Sequence, residues 1–512
     1  MGKENSMGQQ FELERISPEK AGIHSGQVKK CIEKLMNEWS HMNGFMAARY
    51  GKVFAECFWS PFHKDLVHSN HSLGKTYTGT AIGIALREGK LSLDEKMADI
   101  FQDEIQEKKI ELTEYAKEIT IRNVLTMTNG HAHHPEMGEN WLENYFRTPV
   151  THKPGTKFLY NTSGACMLAA VIKKKTGQNV KEYLTPRLFQ EIGIDPERFV
   201  WLKWPDGIDA EPGTFSTTED NLRLCLLYLN GGKWNGKQIV DPQFIKEALS
   251  VQISTQDAPE QKDGRCGYGY QLWACSIPGV YRFDGGQGQY GILWPEKGIA
   301  VAVHEGAIVP YGPQRTLDVI EEELLLKMEE GELEEEPAAY AELLDFEKNR
   351  KYKPDCANTI RPAVELSGRY KVTEGDPNPW LGLAPPGRED MFIPYRDKQK
   401  KSKIESFTLE IQEDMCKFEV NGYAEFIARM DGQLELKHTD NVFPKLTAYS
   451  ATARFINGYT LEIKIHWLNS WTGTVMRFEK QRDTMYMTAL KYRANQEDDW
   501  LVYKGKARRE DL

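Results

Sequence analysis

Ser72-Leu73-Gly74-Lys75 puts a hydroxyl and an amine at positions i and i+3, which share one helix face at about 100° per residue. A serine opening a helix has its hydroxyl near unpaired backbone N–H groups and the positive end of the helix dipole. A lysine one turn on becomes its proton acceptor if burial and neighbours bring the amine from its usual pKa of about 10.4 toward neutrality. The tetrad thus encodes a serine nucleophile with its own base, provided the rest of the chain builds a site round it.

Two more segments carry suitable groups. Lys157-Phe-Leu-Tyr160-Asn161-Thr162-Ser163-Gly164 precedes an apolar helical stretch, and Tyr160 there can join a proton network with Ser72 and Lys75. To act as a base its phenol needs its pKa of about 10 lowered by a nearby cationic lysine. Without those partners it is a packed aromatic at a loop–helix junction. Phe283-Asp284-Gly285-Gly286-Gln287-Gly288-Gln289 ends a strand in glycines, where the backbone can approach a ligand and turn N–H groups toward an oxyanion. As a phosphate cradle the run lacks the lysine and following helix of a P-loop, and in isolation it is a turn. His131-Ala-His133-His134-Pro-Glu136 is dense in histidine, a common zinc ligand. One short loop seldom aims three ligands at one point, and no second cluster completes a site. It is read as a loop at the mouth of the serine site, with no metal and no cofactor.

The elements that must position these groups follow from pattern. An amphipathic helix is expected over 15–40, and a hairpin over 44–59 around Tyr50-Gly51-Lys52. Residues 76–88 continue the tetrad as a small-residue helix. From there to about 250 the signals are mainly helical, including 121–128, 164–175 and 217–230. Strands return at 267–273, 279–283, 290–294 and 299–304, the last two joined by Pro295-Glu-Lys-Gly298, and a helix at 314–329 closes the region. Strands at both ends with helices between them predict one antiparallel sheet built from distant segments, with a helical lobe alongside. An acidic run, 329–337, opens a linker to 363. Short strands at meander spacing from 364 predict a separate antiparallel, barrel-like β domain. Its aromatic residues Tyr459, Trp467, Trp471, Tyr486 and Trp500 are assigned to its core. The expected division is a disordered tail (1–14), an α/β (α+β) domain holding the serine site (15–328), an acidic linker (329–363) and an antiparallel β domain (364–512).

The 512 residues exceed one ordinary domain. A hydrophobic fraction of 40% and an aromatic fraction of 11% supply cores and exclude global disorder. The net charge of −10, with no long basic run, argues against nucleic acid. No stretch approaches the roughly 20 apolar residues of a membrane span, and the first ten residues lack an apolar signal region. Gly2 with Ser6 fits the myristoylation pattern only formally; a polar tail is the expectation. Eight scattered cysteines without a C-x-x-C pair read as reduced thiols of a cytoplasmic protein. The oligomeric state is not set by these features.

Together the markers resemble the serine β-lactamase and penicillin-recognising superfamily, in particular class C-type β-lactamase-related serine hydrolases and esterases. The resemblance covers roughly residues 15–328. It rests on Ser72-Leu-Gly-Lys75 with Glu88-Gly-Lys-Leu-Ser-Leu-Asp-Glu95, on Val124-Leu-Thr-Met-Thr-Asn-Gly130, and on Pro154-Gly155 leading to Tyr160. Phe215-Ser-Thr-Thr-Glu-Asp220, Gly267-Tyr-Gly-Tyr-Gln-Leu-Trp273 and the glycines at 285–288 complete it, in the expected order. The resemblance implies Ser72 as acylated nucleophile, Lys75 as proton acceptor and Tyr160 as proton shuttle. It implies an oxyanion hole from the N–H groups of Ser72 and Gly286 or its neighbour. Thr162, Asp284, Gly285, Gln287, His131 and His304 are the expected pocket residues.

Two departures bear on substrate. The family's Tyr-x-Asn or Tyr-x-Ser element is Tyr160-Asn161-Thr162, and its Lys-Thr-Gly or His-x-Gly element is Asp284-Gly285-Gly286. The missing cation disfavours β-lactam carboxylates and favours a neutral ester or amide. Lys175-Thr176-Gly177 and His304-Glu305-Gly306 match that element literally, but the first ends a helix and the second lies one strand late. The expected activity is hydrolysis of a small-molecule ester, amide or lactam, or of a peptide-like substrate, through an acyl-enzyme. The alternatives are a D-amino-acid peptidase or amidase, and a non-catalytic ligand sensor using the same pocket.

Overall fold

The short apolar runs 44–48, 290–294 and 299–303 do not alternate with polar residues, so they form strands covered on both faces. The computed structural model describes residues 12–36, 41–258, 261–307, 312–376, 404–422, 424–439, 445–470, 472–493 and 496–510. In it Met42–Arg49 and Lys52–Phe58 form the predicted hairpin, turning through Tyr50 and Gly51 at φ +50° and +83°. Two consecutive left-handed residues make the tight turn whose twist suits a hairpin. Met42–Arg49 then pairs with Ile299–Glu305, more than 250 residues away. The six-stranded antiparallel sheet continues through Gln289–Trp294 and Tyr281–Gly285 to Trp273–Ala274. Met46 and Ala48 enter the core beneath the helical lobe, while Phe45 and Ala47 enter the core on the opposite face. That opposite face is covered by the helices Ser25–Leu35, Gly312–Glu323 and Pro337–Lys348.

Several expectations are corrected. The first helix is Ser25–Leu35 rather than 15–40, because Pro18 and the left-handed Gly22 bound a separate short turn ahead of it; residues 37–40 lie outside the described residues. Of the strand expected at 267–273 only Trp273 is extended, since Gly267 (φ +113°) and Gln271 (φ +59°) bend the chain. The stretch read as an acidic linker is docked on the six-stranded sheet. Glu329 N–H donates to Gly22 O, Arg49 Nη1 donates to Glu329 O, and Leu343 of Pro337–Lys348 is fully buried. The region read as mainly helical also contains a small sheet, His68–Ser69, Asp209–Ser216 and Val200–Lys203.

The C-terminal domain is a barrel. Among the described residues ten strands run from Gly368–Gly375 to Gln496–Arg509; nine form a ring of antiparallel neighbours closed by a parallel bridge between Arg429 and Thr452, and the tenth, Lys437–His438, pairs only with Ala448–Asn457. Met415–Val420 and Ala424–Arg429 alternate buried and half-buried residues, as a barrel wall requires. Its interior is filled by Phe407, Phe418, Phe426, Phe478 and Trp467. Tyr459, assigned to this core, is exposed in a turn, and Tyr486 is half-buried. Trp471 and the side chain of Trp500 lie outside the described residues.

Candidate active site

Ser72 sits in a short 3-10 turn, His71–Leu73, that feeds directly into the helix Gly74–Arg87. His71 has φ +48°, a left-handed conformation that costs a non-glycine residue free energy and needs support. Asn70 supplies it: its N–H donates to Thr214 O at 2.9 Å, and its Oδ1 accepts from Ser216 Oγ and Asn221 Nδ2, each at 2.9 Å. Gly74 completes the junction, since a Cβ there would lie 2.5 Å from Thr214 Oγ1 and 2.6 Å from Glu211 O. Glycine is therefore what lets the helix begin flush against the strand Asp209–Ser216.

That strand brings a carboxylate to Lys75. Lys75 Nζ donates to Ser72 Oγ at 2.7 Å and lies 3.0 Å from Glu211 Oε2. The side chains of Lys75 and Glu211 are 1% and 0% exposed. Tyr160 closes the other side, its ring centroid 5.1 Å from Lys75 Nζ and its hydroxyl within reach of Ser72 and Lys75. Behind Tyr160 stands Trp273, stacked at 5.7 Å, with Tyr268 edge-on at 6.5 Å.

The charges differ from expectation. Burial pushes the Lys75 amine down, but Glu211 and then Tyr160 outweigh it and hold its pKa above the ordinary lysine value. Burial raises the Tyr160 phenol, and the lowering by Lys75 does not offset it. The resting site holds a lysine ammonium, a glutamate carboxylate and a neutral tyrosine. The depressed lysine and tyrosine pKa values expected from the sequence are not realised, because a carboxylate sits against the amine.

The glycine-ended strand lies beside the nucleophile turn. A Cβ on Gly285 would fall 2.1 Å from Asn70 O and 3.1 Å from Leu73 N, and one on Gly286 would rest 4.0 Å from His71. Gln287 forms the following turn at φ +69°, its carbonyl accepting from Ala307 N–H at 2.8 Å. Asp284 accepts from Arg282 Nε at 2.7 Å. Arg282 Nη1 also donates to Asp263 O at 3.0 Å and Ala274 O at 3.1 Å. A cation does stand at this edge of the site, paired with Asp284.

Thr162 opens the helix Thr162–Thr176, capped by Asn161, and its N–H donates to His134 Nε2 at 3.0 Å. His131 and His304, expected in the pocket, are both buried. His131 donates from Nε2 to Tyr145 O at 3.0 Å and faces Asn161 Nδ2 at 3.2 Å, bracing the Tyr160–Thr162 segment. Burial pushes its pKa down to about 4, so it is neutral. His304 contacts Thr218, Asn221 and Asn70 and backs the nucleophile turn. The histidine loop does not converge on a point: His133 and His134 direct their Nδ1 atoms to the carbonyls of His134 and Pro135. The barrel reaches this region too, where Asn469 Nδ2 donates to Val67 O at 2.8 Å and Asn469 O accepts from Ser69 N–H at 3.0 Å.

The Beta-lactamase family model matches residues 43–305, more than half of the chain and the span that carries Ser72, Lys75, Tyr160, Glu211 and Asp284. The chain belongs to the Beta-lactamase family. Among solved structures it is similar to the octameric penicillin-binding protein homologue from Pyrococcus abyssi, at 16% identity and TM-score 0.47 over 94% of this chain and 99% of that one. It is also similar to a penicillin-binding protein homologue from Caulobacter crescentus, at 14% identity and TM-score 0.49 over 59% of this chain and 97% of that one. A family VIII carboxylesterase aligns at 13% identity and TM-score 0.46 over 61% of this chain and 100% of that one. No curated protein sequence matches the chain. Glu211 is a site residue that the sequence did not announce. It lies in Asp209-Ala-Glu-Pro-Gly-Thr-Phe-Ser216, whose Pro, Gly and acidic residues disguise a strand.

Proposed function

We propose that the protein is a serine hydrolase that cleaves an ester or amide through an acyl-enzyme on Ser72. The observation that carries this reading is the dry relay from Ser72 Oγ to Lys75 Nζ (2.7 Å) to Glu211 Oε2 (3.0 Å). Lys75 passes a proton to Glu211 and takes the Ser72 proton as Oγ attacks the carbonyl, so the net transfer is from serine to glutamate. The oxyanion forms against the N–H groups of Ser72 and Gly286, preorganised donors of the kind that stabilise such charge. Tyr160 protonates the leaving group and recovers its proton from Lys75, which recovers its own from Glu211. Water then adds to the acyl carbonyl, gives up a proton by the same relay, and Ser72 Oγ leaves with it.

The test is rapid-mixing hydrolysis of p-nitrophenyl acetate. The proposal predicts a p-nitrophenol burst approaching one per chain followed by turnover, both lost in Ser72→Ala. Turnover unchanged in Ser72→Ala would overturn it.

A further inference from the structure

The edge of the site formed by Asp284 presents a carboxylate where a substrate carboxylate would need a cation. The two members of its ion pair are unequally placed. The Arg282 side chain is 4% exposed, tied to two backbone carbonyls and lying over Trp273, whereas that of Asp284 is 26% exposed. An incoming molecule therefore meets the carboxylate, with its counter-ion withdrawn behind it. Arg282 and Asp284 lie two residues apart on one strand and so share a face of the sheet. Arg282 lies over Trp273, on which Tyr160 stacks, so the Arg282–Asp284 pair stands on the Tyr160 side of Ser72. The half-buried Tyr160, stacked on Trp273, adds aromatic surface at the same place. A carboxylate beside aromatic rings suits an alkylammonium group.

We propose that Asp284, with Tyr160 and Trp273, forms a subsite for an ammonium group on the leaving side of the substrate. The favoured substrates are then cationic esters or amides, such as those of amino alcohols or diamines, and anionic leaving groups are rejected. This rests on the serine-hydrolase reading, which makes Tyr160 the proton donor to the leaving group and so sets the side on which Asp284 acts. In each turnover the acyl bond to the leaving atom breaks, the Ser72 ester forms, and the leaving group departs with a proton from Tyr160, which the relay holding the serine proton replaces. Water then releases the acid.

Three thioacetates of matched length separate charge from shape: acetylthiocholine (cationic), 3,3-dimethylbutyl thioacetate (neutral) and 2-(acetylthio)ethanesulfonate (anionic), each followed by thiol release. The expected kcat/KM falls in that order, with cationic over anionic by about tenfold or more. Raising ionic strength from about 0.05 to 1 M compresses the ratio in the unmodified enzyme. Asp284→Asn lowers the cationic-to-anionic ratio by about tenfold, with each rate read against that of the neutral ester in the same variant. Equal rates, or preference for the anion in the unmodified enzyme, overturn the subsite and leave the hydrolase reading intact. Ser72-independent or absent turnover of all three overturns the hydrolase reading itself. The salt series and the charge order decide the matter even if Asp284→Asn fails to fold.

Discussion

Lys75 and Glu211 face one another with 1% and 0% of their side chains exposed, whereas Asp355 and Lys464, paired at 3.5 Å against the barrel, keep 22% and 26%. Both groups of charges are paired, yet they sit in different media. Asp355 remains in contact with water and ties the barrel together through His466, Lys464 and Thr452. The lysine–glutamate pair is dry, a placement that costs several kcal/mol per ion and is offset only by close pairing. A protein that maintains such a pair one hydrogen bond from a serine hydroxyl gains a strong local field on that serine. The contrast predicts that substitutions in the dry pair act on rate and those in the wet cluster act on stability.

The largest effect is expected at Lys75. Lys75→Ala lowers kcat/KM by about 10²–10⁴-fold, measured with an activated ester, while Asp355→Asn leaves it within about twofold. Asp355 is held below its usual pKa despite the opposing effect of burial, chiefly by His466 and Lys464. Its stabilisation is present above the unfolded carboxyl pKa and is lost as pH falls through that range toward the folded value. The deficit of Asp355→Asn, roughly 1–3 kcal/mol in denaturant melts at pH 7, should therefore shrink on acidification.

Next is Glu211→Gln, which keeps the shape and removes the charge. The rate is expected to fall about 10–100-fold near neutral pH. Without the carboxylate, burial dominates and the Lys75 pKa drops, so the amine becomes its own base as pH rises. The gap between variant and unmodified enzyme then narrows toward alkaline pH in a kcat/KM profile. A constant gap contradicts the relay.

A third carboxyl sharpens the comparison on stability alone. Burial raises Glu347 to about 8, and its Oε1 accepts from Glu56 N–H at 3.2 Å. A carboxyl whose folded pKa lies above its unfolded value favours the fold when protonated and opposes it as pH rises past the unfolded value. Glu347→Gln should therefore leave Tm unchanged at pH 4 and stabilise by roughly 1–3 kcal/mol at pH 9, with kcat/KM unaffected. The smallest effect is expected at the barrel turn, where Asn469→Ala removes the bond to Val67 O. It should cost about 1–2 kcal/mol and change kcat/KM less than about fivefold.

Much of this arrangement was legible before any coordinates. The hairpin at 42–58 and the barrel strands announce themselves by turn residues and by alternation, both local signals. Ser72, Lys75 and Tyr160 were legible because a reactive spacing and two supporting segments coincide. Glu211 was hidden, because Pro212 and Gly213 break the appearance of a strand and its value comes from pairing across the fold with Lys75. The strands Ala424–Arg429 and Ala448–Asn457 are faint in the sequence for a related reason: alanine at 448, 451 and 453 gives little strand signal, and barrel closure decides their conformation. Arg282 was within reach of a simple rule, since residues two apart on a strand share a face. What the sequence withheld was which side of the pair would meet solvent.

The most direct measurement of the central claim is intact-mass and peptide mapping after reaction with a fluorophosphonate. The account predicts one phosphonyl adduct per chain, with loss of fluoride, on the peptide containing Ser72, and none in Ser72→Ala. An adduct on another residue, or equal labelling of Ser72→Ala, would contradict it.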